Sequence, residues 1–326
     1  MSSEGLILKH ITILTPCYNE VDNVAPLFNT VKQTMDQIEG ITYSHLFIDN
    51  ASNDGTQEKL RELAKVHPNL QIILNNRNYG DIRSPWYGYL QAKGDCIIHL
   101  NCNFKEPPEL IPIFVKYWLE GCPVVIGVKK PTKEFFIFRW FRTTYYHFSK
   151  KLSDEEIVEH FNGYALFDRQ VIETFRELPD MYPYVRGLIV DLGFAFKRVT
   201  YEQGVRKRGF TKNNFYSLYN TAMLGITSHS KVPLRLATFI GFFVSFSSLI
   251  VGVFYLIYKL VFWDRFDVGI APLVIGIFFF AAVQLFFIGM IGEYIGSIHT
   301  QVLKRPLVIE KERINFGPEL SDDDNS

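Results

Sequence analysis

Short apolar runs alternate with amphipathic segments over the first 130 residues of the chain. The apolar runs have the length of buried strands, and the segments between them show helical spacing. The predicted strands are residues 11–15, 43–49, 70–74, 95–100 and 124–128, and the predicted helices are 24–38, one that begins at 54–56, 86–92 and 110–120. Strands and helices that alternate through short loops predict an α/β domain built on a parallel sheet.

Polar residues follow the carboxyl ends of four of these strands, at residues 15–20, 49–52, 75–78 and 101–103. In parallel α/β sheets, ligands bind outside the carboxyl ends of the strands. The four segments therefore predict one binding site at one edge of the sheet.

Two long apolar runs dominate the C-terminal third of the chain. Residues 237–258 are 22 residues without a charge and residues 268–292 are 25, and nine residues join them. About 20 apolar residues suffice to cross a bilayer. One such run could be a buried core helix, but two in succession predict a transmembrane hairpin with spans at about 236–260 and 268–294.

Basic residues cluster at the open end of this predicted hairpin. Lys231, Arg235, Lys304, Arg305 and Lys311 flank it, whereas the connecting loop holds only two basic residues. The positive-inside rule then predicts a two-span protein of the cytoplasmic membrane with both termini in the cytoplasm. Because the formal net charge is zero, no global field favours nucleic acid as a partner.

Two aromatic and basic segments lie between the predicted sheet and the hairpin. Residues 135–151 place aromatic rings on one helical face, and residues 213–235 lead directly into the first span. Both are typical of amphipathic helices in a membrane interface, although a helix packed on the sheet is an alternative for the first. The predicted organisation is a cytoplasmic domain at 1–212, an interfacial segment at 213–235, the hairpin at 236–296 and a cytoplasmic tail at 297–326.

Three cations, Arg206, Arg208 and Lys212, occur within seven residues just before the interfacial segment. Arginine binds phosphate oxygens in a bidentate manner and lysine binds them as a point charge. The cluster predicts a phosphate site near the membrane, with a solvated basic face as the alternative.

Several motifs occur in a characteristic order. They read TPCYNE at 15–20, IDNASNDGT at 48–56, RNYG at 77–80, GD at 94–95 and EPPE at 106–109. This order resembles the GT-A catalytic domain of family-2 glycosyltransferases. Further motifs at 186–188, 193–194, 206–212, 233–235, 292–296 and 305–307 are similar to the membrane-anchored polyprenyl-phosphate glycosyltransferases, the group of bactoprenol glucosyl transferase and dolichol-phosphate mannose synthase.

The resemblance implies a Rossmann-like, mostly parallel GT-A sheet with amphipathic interface helices and a C-terminal two-helix hairpin. It also implies inverting transfer of one sugar from a nucleotide diphosphate sugar, with uridine favoured, to polyprenyl (undecaprenyl) phosphate for surface glycan modification. The nucleotide-sugar site it implies comprises Pro16, Tyr18, Glu20, Asp49, Asn78 and Asp81. Its catalytic residues are Asn101, Asn103, Arg206 and Lys212, and its acceptor-phosphate residues are Arg206, Arg208, Lys212 and Arg186.

The segment 101–103 departs from the family pattern. Relatives carry Asp-x-Asp there, which holds a divalent metal against the donor diphosphate, whereas this chain has the amides Asn101 and Asn103. Three interpretations are open. In the first, donor phosphates and water hold a weakly bound Mg²⁺ or Mn²⁺, with Asn103 as its protein ligand. In the second, Lys105 or the cations at 206–212 replace the metal, and in the third the protein is a catalytically impaired scaffold or nucleotide-sugar sensor. At 162–166 the chain also lacks the Asp and Arg of the family's Gly-Asp-Phe-Arg-Leu segment, and a homo-oligomer is left open.

Overall fold

The computed structural model of the 326-residue chain describes residues 9–130, 161–178, 180, 183, 185–204, 232–262 and 270–317. The chain forms two compact units. The first contains the N-terminal α/β region and the residues from Lys304 onward, and the second contains the two long apolar helices.

The first unit is built on one eight-stranded sheet. The strands are β1 (Lys9–Cys17), β2 (Ile41–Asp49), β3 (Leu70–Asn75), β4 (Cys96–His99), β5 (Val124–Lys129), β6 (Phe161–Asp168), β7 (Phe196–Tyr201) and β8 (Glu310–Ile314). Their order across the sheet is β7-β5-β6-β4-β1-β2-β3-β8.

Six helices belong to the same unit. They are α1 (Val21–Met35), α2 (Thr56–Val66), α3 (Gly80–Gln91), α4 (Ile111–Leu119), α5 (Arg169–Glu177) and α6 (Val185–Asp191), with a 3₁₀ turn at Pro108–Leu110. Every strand and helix predicted for the first 130 residues is present. Helix α3 begins six residues earlier than predicted, and it contains Pro85 in its interior.

The sheet carries an apolar core on each face because side chains alternate along each strand. Ile11 and Ile13 pack in the core that includes α1, α2 and α4. Leu14 belongs to the other core, which includes α3, α5 and α6. The first unit is therefore a three-layer α/β/α arrangement with two buried helix–sheet interfaces.

Four neighbouring strands, β4, β1, β2 and β3, are parallel to one another. Strand β6 lies between β4 and β5 and is antiparallel to both, and β8 is antiparallel to β3. The sheet is mostly parallel, as the resemblance implied, but it is not the purely parallel sheet that strand–helix alternation alone predicted.

The Gly94-Asp95 pair shapes the turn that leads into β4. A Cβ atom on Gly94 would lie 2.7 Å from the backbone nitrogen of Thr12 and 2.8 Å from the carbonyl oxygen of Cys96. The Asp95 carboxylate accepts a hydrogen bond of 2.7 Å from the backbone N–H of His10. This motif therefore anchors β4 beside β1, and both residues have a structural role.

The second unit contains helices α7 (Val232–Val261) and α8 (Ile270–Val302). Both are long and apolar enough to cross a membrane, over Pro233–Tyr258 and Gly276–Val302, and no residue in these windows is buried. Both predicted spans are thus helical, and α8 continues beyond the predicted end at residue 294. Residues 135–151 lie outside the described residues, and only 232–235 of the predicted interfacial segment 213–235 are described, as the first residues of α7.

Candidate active site at the carboxyl ends of four strands

The four polar segments predicted from the sequence meet at one edge of the sheet. Strands β4, β1, β2 and β3 run parallel and side by side, so their carboxyl ends lie next to one another. Among the described residues, three of the non-glycine residues with left-handed backbone angles occur at these ends: Asn19 (φ 53°), Ala51 (φ 61°) and Phe104 (φ 56°). Such backbone angles are costly and cluster at functional sites.

Asp49, at the end of β2, is fully buried and organises the loop that follows it. Its Oδ2 accepts hydrogen bonds from the backbone N–H of Ser52 (2.9 Å) and from the amide of Gln57 (2.7 Å). Its Oδ1 accepts the hydroxyl of Ser52 and, at 3.8 Å, the thiol of Cys17.

These four donors account for the roughly four acceptor positions of a carboxylate. Burial and the nearby Asp49 carboxylate raise the pKa of the Cys17 thiol well above its usual range, so Cys17 stays protonated and serves as a donor. The role of Asp49 as an acceptor for the nucleotide base remains a prediction. Its contacts here give it the additional role of fixing residues 49–52.

The end of β1 is tied to the same loop. The backbone N–H of Asn19 donates to the Ser52 hydroxyl (2.7 Å), and the Asn19 side chain accepts from the N–H of Asn53 (2.9 Å). The backbone N–H of Glu20 donates to the hydroxyl of Thr56 (2.9 Å). The predicted donor-binding residues Pro16, Tyr18 and Glu20 lie half-exposed along this end of β1.

The end of β3 is joined to β2 by Asn50, a buried residue of the predicted polar segment 49–52 to which the sequence assigned no role of its own. Its side-chain oxygen accepts the N–H of Tyr79 (2.8 Å), and its NH₂ group donates to the carbonyl of Gly80 (2.9 Å). The predicted residues Asn78 and Asp81 are exposed here. Asn78 accepts the N–H of Gly80 (2.8 Å), and Asp81 lies in the first turn of α3.

The amide triplet follows β4, and both of its side-chain oxygens have protein partners. The Asn103 oxygen accepts the N–H of Lys105 (3.0 Å). The Asn101 oxygen lies 3.4 Å from Nε2 of His99, and Nδ1 of His99 lies 2.7 Å from the hydroxyl of Tyr89. With the amide oxygen as acceptor, His99 carries its proton on Nε2 and accepts from Tyr89.

The turn after the triplet is held by hydrogen bonds from β6 and from the residues that follow β7. The hydroxyl of Tyr164 donates to the carbonyl of Pro107 (2.9 Å). The N–H of Gly204 donates to the carbonyl of Lys105 (3.1 Å), and a Cβ on Gly204 would lie 2.7 Å from the carbonyl oxygen of Phe104. The buried Glu106 lies close enough to raise the pKa of Tyr164, after burial itself.

A divalent metal does not fit the triplet as a tightly bound ion. Hard cations favour carboxylate oxygens, but the triplet offers two neutral amides whose oxygens already contact Lys105 and His99. In the part of the chain that the structure describes, no group of three His, Cys, Asp or Glu side chains is arranged to hold a metal. With its oxygen engaged, each amide keeps its NH₂ group as a hydrogen-bond donor, which suits an anion.

The predicted cations at Arg206, Arg208 and Lys212 lie outside the described residues. Arg186 lies in α6, where the backbone is described and the side chain is not. The structure therefore brings together the β1–β4 members of the predicted site, and the phosphate-binding roles of the cations remain predictions.

Comparison with known proteins identifies the family of this α/β region. Residues 12–176, which include all four strand ends, match the family described as glycosyl transferase family 2. The chain belongs to glycosyl transferase family 2. This family-2 glycosyltransferase is therefore an enzyme, and its sheet is a GT-A-like α/β fold.

Relatives of the glycosyltransferase extend over nearly its whole length. It is 30% identical over 318 residues to a SfII prophage-derived bactoprenol glucosyl transferase of Shigella flexneri, covering 94% of this chain and 99% of the relative. It is 32% identical over 304 residues to the uncharacterized glycosyltransferase YkcC of Bacillus subtilis, covering 92% and 94%. A mycobacterial protein of known crystal structure has a similar fold, with a TM-score of 0.50, 16% identity and 67% and 73% of the two chains covered.

Proposed function

We propose that this glycosyltransferase moves one sugar, with inversion, from a nucleotide diphosphate sugar to a polyprenyl phosphate at the cytoplasmic face of a membrane. The donor in this proposal is a uridine diphosphate sugar, the acceptor is undecaprenyl phosphate, and the product serves surface glycan modification. The observation that carries the proposal is the similarity to a bactoprenol glucosyl transferase over 94% of the chain. That similarity includes α7 and α8, the two helices suited to a bilayer.

The acceptor supplies its own nucleophile in this reaction. A phosphate monoester has a second pKa near 6, so at neutral pH it is mostly a dianion. One of its oxygens attacks the anomeric carbon, the bond from that carbon to the diphosphate oxygen breaks, and the nucleoside diphosphate leaves with the electron pair. No protein base is needed, which is consistent with a glycine, Gly163 in β6, at the position where the family's Gly-Asp-Phe-Arg-Leu segment has its acid.

The leaving diphosphate needs its negative charge stabilised, and we propose that this chain's donors and cations do so. The NH₂ groups of Asn101 and Asn103 are suited to donate to phosphate oxygens, since their own oxygens contact His99 and Lys105. Arg206 and Lys212 add positive charge, and Arg186, Arg208 and Lys212 bind the acceptor phosphate. A Mg²⁺ or Mn²⁺ ion, if bound, would be held mainly by the donor phosphates and water, with Asn103 as a weak protein ligand, and would supply further positive charge.

The direct test is a transfer assay with purified protein. Labelled uridine and guanosine diphosphate sugars are incubated with undecaprenyl phosphate, with and without EDTA, and label in the lipid phase is counted. We expect transfer from a uridine diphosphate sugar that EDTA lowers by less than about threefold, because in this proposal the chain's own donors and cations, rather than a metal, stabilise most of the charge of the leaving diphosphate. Absence of transfer from every donor, with binding of both nucleotide and lipid verified, would rule out the proposed reaction.

Restoring acids to the triplet should create metal dependence. In the double variant Asn101→Asp/Asn103→Asp, two carboxylates become available as ligands, and the carboxylate introduced at position 103 can still accept the Lys105 N–H. We expect EDTA to lower transfer by this variant at least about tenfold, the change that an interaction of about 1.4 kcal/mol produces. The measurement is the rate across a Mn²⁺ titration.

The single variant Gln170→Glu serves as the matched control, since it adds an exposed acid at the start of α5, beside the beginning of β4, without changing the triplet at its end. Equal EDTA sensitivity of wild type and double variant would contradict the view that the amides weaken metal binding.

A further inference from the structure

The chain returns to the sheet after its last apolar helix. Residues 306–315, called here the C-terminal segment, include β8, which pairs with β3 from Ile72 to Asn75. The pairing shifts register between Leu74 and Asn75, at the end of β3 that leads into residues 76–80, called here the Tyr79 loop. The segment therefore meets the predicted donor site where β3 ends.

Tyr79 is the centre of this contact and is 7% exposed. Its hydroxyl accepts the backbone N–H of Ile309 (3.1 Å) and donates to the side-chain oxygen of Asn76 (2.7 Å). The N–H of Asn76 donates in turn to the carbonyl of Ile309 (3.1 Å). The Tyr79 hydroxyl thus bonds both to Asn76 of the loop and to Ile309 of the segment, and these two residues also bond directly to each other.

Two arginines reinforce the same contact. The guanidinium of Arg77 lies 4.5 Å from the centre of the Tyr79 ring, and that of Arg83 lies 5.2 Å from it. Arg83 also donates to the carbonyl of Pro306. A cation over a tyrosine ring is attracted by the ring's electrons. The position of the Tyr79 ring therefore also influences where the exposed guanidinium of Arg77 lies.

The Tyr79 loop is connected inward to the rest of the site. The backbone N–H of Tyr79 donates to Asn50, and Asn50 donates to Gly80, the first residue of α3. Asn50 directly follows Asp49, whose carboxylate fixes residues 49–52. A displacement of Tyr79 would therefore reach the β2 and β3 ends of the site together.

We propose that the C-terminal segment is a positioning element of the active site, which acts through the Tyr79 hydroxyl to hold the Tyr79 loop in the conformation that binds the donor nucleotide. Tyr79 is then a positioning residue for the transfer reaction. The proposal rests on the proposed function, because it assumes that the ends of β1–β3 bind the nucleotide.

The opposite face of the same segment provides a matched control. Glu312 is bound by Arg61 of α2 at 2.7 Å, and Asn315 donates to the carbonyls of Ala64 and Leu70 (2.9 Å each). These contacts attach β8 to the core but do not touch the Tyr79 loop. Glu312→Gln therefore weakens one partly exposed ion pair of the segment and leaves its position and the Tyr79 hydrogen bonds in place.

The test compares full-length wild type, Tyr79→Phe and Glu312→Gln. Tyr79→Phe keeps the ring and removes both hydrogen bonds of the hydroxyl, so we expect the KM for the uridine diphosphate sugar and the Kd for uridine diphosphate to rise about tenfold, which corresponds to about 1.4 kcal/mol. The kcat and the KM for undecaprenyl phosphate should stay within about twofold, the scale of a few tenths of a kcal/mol. Glu312→Gln should leave all four quantities within the same range.

Two results would overturn the inference alone: an unchanged Kd for uridine diphosphate in Tyr79→Phe, or a fall in kcat with a lower Tm and no change in nucleotide Kd. Titration calorimetry measures the Kd without any transfer. If wild type itself binds no uridine diphosphate and transfers no sugar, both the inference and the proposed function fail. If wild type binds and transfers while Tyr79→Phe behaves identically, only the inference fails.

Discussion

Asp49→Ala is expected to lower the free energy of unfolding of the α/β unit by about 3 kcal/mol, because the Ser52 N–H and the Gln57 amide lose their buried acceptor. For a unit of this size the midpoint of thermal unfolding should fall by about 10 °C. The loss of loop geometry should also lower transfer at least about 100-fold, since displacements near 1 Å at an active site have effects of that size. Circular dichroism melts in detergent and the lipid-phase assay measure the two quantities.

Asp81→Ala is the matched control for this loss. Asp81 belongs to the same predicted donor site, but it is exposed in the first turn of α3, where a carboxylate contributes at most about 1 kcal/mol. The Tm of the Asp81→Ala variant should stay near that of wild type. If Asp49→Ala kept the wild-type Tm and lost only nucleotide binding, base recognition rather than loop organisation would be the main role of Asp49.

Arg206→Ala should lower kcat at least about 100-fold, the usual cost of losing one electrostatic contact to a developing charge. The expectation follows from the proposed mechanism, in which the amides Asn101 and Asn103 hold no metal strongly and side-chain cations stabilise the leaving diphosphate. Arg206→Lys keeps the charge and loses the bidentate geometry, and it should recover part of the rate. Steady-state kinetics with donor and acceptor varied separately gives kcat and both KM values.

A surface cation controls for the general effect of removing positive charge. Lys59 lies exposed on α2 and pairs with Glu62 (3.2 Å), and exposed pairs contribute at most about 1 kcal/mol. Lys59→Ala should leave kcat within about twofold of wild type, a change of a few tenths of a kcal/mol. A rate for Arg206→Ala equal to that of Lys59→Ala would contradict the assigned role.

The strands and helices of the first 130 residues could be predicted because each has a strong local signal. Buried strands such as β2 and β3 contain short apolar runs, at residues 46–48 and 72–74, and in amphipathic helices such as α1 the buried apolar residues recur every three or four positions. The candidate site followed from the same signals, since parallel strands place their carboxyl ends together. Partners of individual side chains could not be predicted, because Asp49 is bound by Cys17 from a neighbouring strand and by Gln57 eight positions later.

Strands β6 and β8 were missed for two different physical reasons. The pattern of residues 161–168 is compatible with a strand, but no local sequence signal indicates that this strand lies between β4 and β5 and runs antiparallel to both. Strand β8 reads Glu-Lys-Glu-Arg-Ile, and charged residues resemble a solvated tail. Charges of this kind are common on edge strands because they prevent pairing with other chains.

The position of β8 also constrains the order in which the protein can be completed during synthesis. The strand is made after both apolar helices, whereas its partner β3 is made more than 230 residues earlier. Until β8 has left the ribosome, β3 presents an unpaired edge of the kind that promotes aggregation. Released chains that end before residue 310 should therefore depend on chaperones more strongly than the full-length chain.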